Sequence, residues 1–368
     1  MKVIIIGGHV TPALATIDAL KKVDSTTSFY FFGRKSTREG DNAISAEYEL
    51  IKSLNIPFVS ITTGRLQRVF TRYTILSLLK IPIGLFQSFN NLLKIKPDVI
   101  VSFGGYLAVP VVVAGWLLRI PVVVHEQTLI PGLANKISAR FASIIALSFE
   151  ETRKFYIRYN TVVLGNPIRK EIFQQNNIFK IVNKNRPVIF VTGGNQGAHG
   201  INMFVFENIN NLLEHFIIIH QTGNSTTIND YARSVEIAKS LKDGSSYYVY
   251  PYIGPEEIGD VFASCDLVLG RSGVNTMCEI IALSKKAILV PVPNHREQTY
   301  NAQYFSKLGF GSMIVQEELT PGLFISMANQ LLSKPLDSQI ILRGQKLIKQ
   351  DAALVLAGII QKIGSCML

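Results

Sequence analysis

Lys2–Ala15 reads KVIIIGGHVTPALA. Four apolar residues, Val3 to Ile6, run into Gly7-Gly8, then a histidine, then a segment with helical character. A strand that is apolar at consecutive positions is buried on both faces. Followed by glycines and a helix, it opens a parallel βα unit. His9 at the junction can hold a turn, contact a phosphate or take a proton, and the stretch alone leaves all three open.

The same rhythm recurs along the chain. In the first half the apolar runs are KVIIIG, SFYFFG, PFVSI, DVIVSFG, IPVVVHE and SIIALSF. In the second they are PVIFVTGG, FIIIHQTG, YYVYPYI, DLVLGRSG, AILVPVP and GSMIV. Helical patterns separate them. The fold class is therefore α/β, with two doubly wound parallel-sheet domains expected to face a central cleft. A length of 368 residues also favours two domains. The expected division is 1–168, 169–335, and C-terminal helices over 336–368 that pack back on the N-terminal domain. The polar, aperiodic run Gln174–Arg186 looks like the connecting segment.

Hydrophobic content of 48% with 17% charged residues excludes a disordered chain. Cys265, Cys278 and Cys366 form no CxxC pair, so a reducing compartment is expected. Val3–Ile6 is too short for a signal-peptide core. Val99–Leu118 has no charged residue, yet Gly104-Gly105 and Pro110 interrupt it. It reads as strand, glycine loop and helix rather than as a membrane span.

The net charge of +11 lies mostly in the first 160 residues. Between Leu50 and Pro97 stand Lys52, Arg65, Arg68, Arg72, Lys80, Lys94 and Lys96, with no acidic residue. They flank the apolar run YTILSLLKIPIGLFQSFNNLL, with Ile75, Leu79 and Phe86. Basic and apolar residues together suit an anionic membrane surface. No basic-aromatic groove suggests nucleic acid.

In doubly wound sheets ligands bind beyond the C-terminal strand ends. Gly7-Gly8, Gly104-Gly105, Gly193-Gly194 with Gly197, Gly223, and Gly270 with Gly273 all fall there. GGNQGAHGIN, Gly193–Asn202, can bring main-chain N–H groups and a helix N-terminus to a phosphate. In RSGVNTMCE, Ser272 can cap a helix and Glu279 lies about two turns in, sharing a face with Asn275 and Thr276. Such a carboxylate can accept from both hydroxyls of a ribose. HREQTYNA places Glu297, Gln298 and Asn301 at a strand end, available to sugar hydroxyls. His125 ends a buried strand and reads as structural. No spacing suggests a metal site, a P-loop or GxSxG.

Taken in order, GGHVTPALA, VSFGGY, IPVVVHEQ, PGLANK, GNPIR, GGNQGA, HQTG, DLVLGRSG with Glu279, and EQTYNA strongly resemble the MurG family. These are peripheral membrane glycosyltransferases of peptidoglycan synthesis with the GT-B fold. The resemblance implies transfer of GlcNAc from UDP-GlcNAc to the C4 hydroxyl of MurNAc in lipid I, the undecaprenyl-pyrophosphoryl-MurNAc-pentapeptide. The product is lipid II, formed with inversion. Alternatives are a related GT-B transferase with another lipid or glycan acceptor, and a non-catalytic UDP-sugar-binding membrane protein.

The resemblance further implies that Glu279 binds ribose and that Gln298, Glu297 and Thr128 serve the GlcNAc. Arg169 and Asn195 lie near the diphosphate and Ile253 near uracil, with Asn275 and Thr276 in the donor site. Gly7, Gly8, Gly104, Gly105 and Tyr106 face the acceptor pyrophosphate. The stretch from Arg65 to Phe86 docks on the cytoplasmic leaflet of the plasma membrane, where cell-wall synthesis proteins are possible partners. His9 is the general base, a role that suits imidazole, with its unperturbed pKa near 6.5. No metal or other cofactor is expected. Family members usually carry glycine-glycine-threonine-glycine-glycine before the histidine, where this chain has only Gly7-Gly8. Thr128 replaces the usual asparagine, Asn195 the usual serine, and Glu297 a glutamine or histidine.

Overall fold

Val3 and Ile5 face one apolar core while Ile4 and Ile6 face another. This is the period-two alternation of a strand covered on both sides. In the computed structural model the described residues are 1–35, 45–64, 72–181, 184–194, 196–225, 228–241 and 246–365. For Ala46 and residues 72–79 the description covers the backbone only.

The chain divides into two units, Met1–Arg169 with Lys349–Leu368, and Lys170–Ile348. The first holds a parallel sheet of β1 (Lys2–Ile6), β2 (Ser28–Gly33), β3 (Phe58–Ser60), β4 (Val99–Ser102), β5 (Val122–Glu126), β6 (Ile144–Leu147) and β7 (Thr161–Val163). The strand order is β3-β2-β1-β4-β5-β6-β7. α1 (Val10–Val23) covers one face together with α13 (Ala352–Ser365). α3 (Arg72–Ile95) and α4 (Ala108–Leu117) cover the other. α2 (Ala46–Ser53) flanks β2 and β3, and α5 (Leu133–Ser138) follows β5. The uncharged run from Val99 is thus β4, a glycine loop and α4.

The second sheet comprises β8 (Val188–Thr192), β9 (Ile217–Gln221), β10 (Tyr247–Tyr250), β11 (Leu267–Gly270), β12 (Lys286–Leu289) and β13 (Gly311–Met313), ordered β10-β9-β8-β11-β12-β13. Its helices are α6 (His199–His215), α7 (Asp230–Ser240), α8 (Pro255–Ser264), α9 (Val274–Ala282), α10 (Arg296–Leu308), α11 (Pro321–Leu332) and α12 (Ser338–Leu347). Ile189 and Val191 of β8 share a core with Ile201 and Val205 of α6. Phe190 turns to the other face, edge-on to Phe262 of α8 at 5.5 Å. In each sheet the order reverses beside the first strand, between β1 and β4 and between β8 and β11. Those are the topological switch points where ligands bind.

Two sequence expectations differ from this arrangement. Only α13 of the C-terminal helices packs in the first unit. α12 belongs to the second, where a Cβ on Gly344 would lie 2.5 Å from Phe310 and 3.0 Å from Ile281. The polar run after Gln174 is not a loose connector at its start. The Asp260 carboxylate on α8 accepts from the main-chain N–H of Asn177 (3.1 Å), Ile178 (2.7 Å) and Phe179 (3.1 Å). Gly259 lets the chain pass so close that a Cβ would sit 1.7 Å from the Gln174 carbonyl.

Burial pushes the Asp260 carboxyl up, but the amides outweigh it and hold it below its ordinary 3.8. Its contribution is therefore complete above the ordinary range and lost as pH falls through the lowered value. Asp260→Asn should destabilise the second unit by about 1–3 kcal/mol at neutral pH. In urea titrations the gap to wild type should narrow below about pH 4; a gap independent of pH would count against this role.

Candidate active site

At the first switch point the loops after β1 and β4 cross in contact. A Cβ on Gly8 would lie 2.5 Å from the Gly104 carbonyl oxygen, and Gly104 and Gly105 have φ of +84° and +79°. Only glycine allows both the approach and the backbone conformation. α1 and α4 start there with no side-chain cap and no acidic residue in the first turn. His9 occupies the cap position of α1, but its ring turns aside and Nδ1 lies 3.1 Å from the Phe103 carbonyl. A carbonyl only accepts, so Nδ1 carries a proton, and in the neutral ring Nε2 is then the nitrogen with the lone pair.

Behind the loops, His125 and Glu126 are fully buried. Burial drives the His125 pKa down to about 3, so it is neutral and structural. Burial likewise raises the Glu126 carboxyl, against hydrogen bonds that favour its charge. The carboxylate of Glu126 accepts from the Thr128 amide (3.0 Å), the Thr128 hydroxyl (2.6 Å), Asn135 Nδ2 (3.0 Å) and the Tyr156 hydroxyl (3.2 Å). Thr128 is thus turned inward, 5% exposed, with its Oγ1 also 2.8 Å from the Ile130 carbonyl. This corrects its expected place on the donor sugar: with one methyl and one hydroxyl it satisfies its own loop.

At the second switch point Gly194 and Gly197 both have φ of +76°, and a Cβ on Gly197 would strike the Thr222 carbonyl at 1.9 Å. Gln221 bridges two loops, donating to the Gly194 carbonyl (2.9 Å) and accepting from the Ile253 amide (3.2 Å). Asn202 Nδ2 donates to the Thr222 carbonyl (2.9 Å) and Asp230 (2.7 Å). Its Oδ1 therefore accepts from His220 Nε2 (3.0 Å), leaving His220 Nδ1 to accept from the Tyr247 hydroxyl (2.9 Å). Asn195 lies outside the described residues. Arg169 ends the first segment of the first unit, where the chain passes into the second.

Glu279 lies on α9, 5% exposed, below the half-buried Asn275 and Thr276. The cap of α9 is Gly273, not Ser272. The Ser272 hydroxyl donates instead to the Gln298 carbonyl (2.8 Å), and Asn301 donates to the Ser272 carbonyl (3.0 Å). Asn301 is fully buried, so it serves this loop and not a sugar. The half-buried Gln298 accepts from the Val292 amide through Oε1 (3.0 Å), which orients its amide NH2. Glu297 is half-buried beside it. The Ile253 side chain is fully buried, so only its main chain can meet a base. Gln221, and Arg271 on the Val290 and Pro291 carbonyls (3.1 and 3.0 Å), were not singled out from sequence. The signal for Gln221 was a polar residue ending the apolar run FIIIHQ.

On α3, Phe86 is 67% exposed, beside exposed Ile83 and a half-buried Lys80. The side chains of Arg72, Ile75 and Leu79, and all of Arg65 and Arg68, lie outside the described residues. The neighbouring α4 adds Trp116, 52% exposed, and Leu117. Among the described residues no helix is long and apolar enough to cross a membrane. Among them, too, no three His, Cys, Asp or Glu side chains group as metal ligands.

Residues 6–147 match the glycosyltransferase family 28 N-terminal domain and residues 188–352 the family 28 C-terminal domain. The chain belongs to glycosyltransferase family 28. Within family 28 its resemblance to MurG holds across most of its length. It is 35% identical over 320 residues to the Legionella pneumophila (strain Lens) protein named UDP-N-acetylglucosamine–N-acetylmuramyl-(pentapeptide) pyrophosphoryl-undecaprenol N-acetylglucosamine transferase. That match covers 85% of this chain and 82% of the relative. A Bacillus thuringiensis (strain Al Hakam) protein of the same name, numbered 3, is 33% identical, covering 88% of both. The crystal structure of Acinetobacter baumannii MurG shares the fold, with a TM-score of 0.73, 24% identity, and coverage of 98% of this chain and 99% of that one. The family 28 chain therefore has two Rossmann-like domains of the GT-B type.

Proposed function

We propose that this family 28 chain is an inverting N-acetylglucosaminyltransferase that moves GlcNAc from UDP-GlcNAc to the C4 hydroxyl of MurNAc in lipid I, giving lipid II for peptidoglycan synthesis. The observation that carries this reading is His9, with Nδ1–H held by the Phe103 carbonyl and Nε2 left basic at a glycine-lined strand end. The names of the relatives supply the substrates.

In this reading the C4 hydroxyl gives its proton to His9 Nε2 as its oxygen bonds to the anomeric carbon. The bond from that carbon to the UDP oxygen breaks on the opposite face, and its electron pair leaves with UDP. Glu279 accepts from the ribose hydroxyls. Gln298, its oxygen engaged by Val292, offers its amide N–H groups to GlcNAc hydroxyls. Arg169 and the start of α6 neutralise the leaving diphosphate, with Asn195 near it, so no metal is called for. The deciding assay is labelled UDP-GlcNAc with a short-chain lipid I analogue: labelled lipid II is expected, and UDP binding with no transfer would reject the reading.

The exposed apolar residues Ile83 and Phe86 of α3 and Trp116 and Leu117 of α4, with the basic residues of this stretch of sequence, support peripheral docking on anionic lipid at the cytoplasmic face of the membrane. Phe86→Ser should weaken binding to phosphatidylglycerol vesicles at all salt concentrations, by about fivefold to tenfold from lost apolar burial. Neutralising Arg65, Arg68 and Arg72 should weaken it mainly at low salt, about 1 kcal/mol per charge. Binding unaffected by both sets would place the contact elsewhere.

A further inference from the structure

The crossing loops of the first unit carry no lysine or arginine. Gly7–Leu20 and Phe103–Leu118 contain neither. Two glycine-flanked helix starts offer N–H groups, but a diphosphate there also calls for a cation. Arg34, directly after β2, stands beside that edge. Its Cζ lies 4.9 Å from the ring centroid of Tyr106, in the loop after β4. Its main chain is anchored, since the Ser45 hydroxyl that caps α2 lies 2.9 Å from the Arg34 carbonyl.

Glu47, in the first turn of α2, lies across the ends of β1 and β2. A Cβ on Gly7 would be 2.2 Å from Glu47 Oε1, and one on Gly33 would be 3.1 Å from Oε2. The two glycines thus make the space for this carboxyl, in contact with the loop that leads to His9. Among the described residues Arg34 is the charged group that acts on it, and Lys35 Nζ lies 5.7 Å over the ring of Tyr48, on the same helix as Glu47. β3 carries no ionisable group.

We infer that Arg34, held over Tyr106, supplies the cation for the acceptor's diphosphate, and that Glu47 competes with that diphosphate for it. The inference rests on the acceptor reading above and gives the short glycine loop an electrostatic substitute. Burial pushes the Glu47 carboxyl up, Arg34 pulls it down, and burial wins, leaving it at about 7. Below that pH the carboxyl is neutral and Arg34 serves the ligand. Above it the carboxylate draws on Arg34 and repels the diphosphate, so acceptor binding weakens.

The test is steady-state kinetics on the full chain. Arg34→Gln should raise acceptor KM about tenfold and leave donor KM within about twofold. Arg34→Lys should fall between, keeping the charge without the planar stack. Wild-type acceptor KM should rise several-fold from pH 6 to 8, and Glu47→Gln should flatten that rise; His9, intact in both, contributes equally. An unchanged acceptor KM in Arg34→Gln, a shift in donor KM alone, or a Glu47→Gln profile that tracks wild type would each overturn the inference. Calorimetry with inorganic pyrophosphate separates it from the transferase reading. Tighter binding by wild type than by Arg34→Gln supports the site even without turnover, and equal binding rejects it even if lipid II forms.

Discussion

His9→Ala should lower kcat by about 10²–10⁴-fold, the usual contribution of a positioned general base, with donor KM little changed. Alanine removes the proton acceptor and the bond to the Phe103 carbonyl, but no helix cap, since the His9 side chain makes no cap hydrogen bond. Added imidazole should restore part of the rate, because a small base can enter the space left by the ring. A fall in kcat with no rescue, together with a lowered melting temperature, would mean that the ring's bond to Phe103 is structural. A kcat equal to wild type would remove His9 from the chemistry altogether. His9→Gln is a useful companion, because its amide can still donate to the Phe103 carbonyl but cannot act as a base at neutral pH. It should be as slow as His9→Ala while melting like wild type.

Glu279→Ala should raise donor KM about tenfold to a hundredfold with a smaller effect on kcat. Hydrogen bonds to a charged acceptor contribute about 1.5–3 kcal/mol each way the comparison is drawn, and the ribose lies far from the reacting carbon. The same loss should appear in the dissociation constant of UDP, which contains the ribose, and not in that of inorganic pyrophosphate, which does not. Because Glu279 is 5% exposed, a melting curve must accompany the kinetics. Glu279→Gln, which keeps the shape and one acceptor oxygen, should lie between alanine and wild type. An unchanged UDP affinity in a folded Glu279→Ala protein would place the nucleoside elsewhere.

While the longer run from Tyr73 is helix α3, each of the twelve short apolar runs quoted for the two halves contains a strand. The physical reason is that consecutive β-branched and aromatic residues can be buried on both sides only in a covered parallel sheet. The strand not singled out was β7, three half-buried residues at the sheet edge, too short to show any pattern. Side-chain roles in loops were less legible. Ser272 suited a helix cap by type and position, yet it bonds the Gln298 carbonyl because α10 lies against it. Asn301 and Thr128 looked like sugar contacts and instead satisfy buried main-chain and carboxylate groups. Polar residues at strand ends answer either to a ligand or to neighbouring backbone, and only the fold says which neighbour is within 3 Å.

Local sequence therefore determined the two doubly wound sheets, the strand ends bearing the glycine loops, and the family-bearing motifs, because these follow from residue type and short-range spacing. Tertiary packing decided what those loops could do. It set the tautomer of His9 through a carbonyl 94 positions away. It turned Thr128 inward, fastened Gln174–Phe179 to α8, and brought Arg34, Glu47 and Tyr106 from three separate segments to the edge beside Gly7. Hydrogen bonds and charges act over a few ångströms of space, and separation along the chain carries no information about that distance until the sheet order is known.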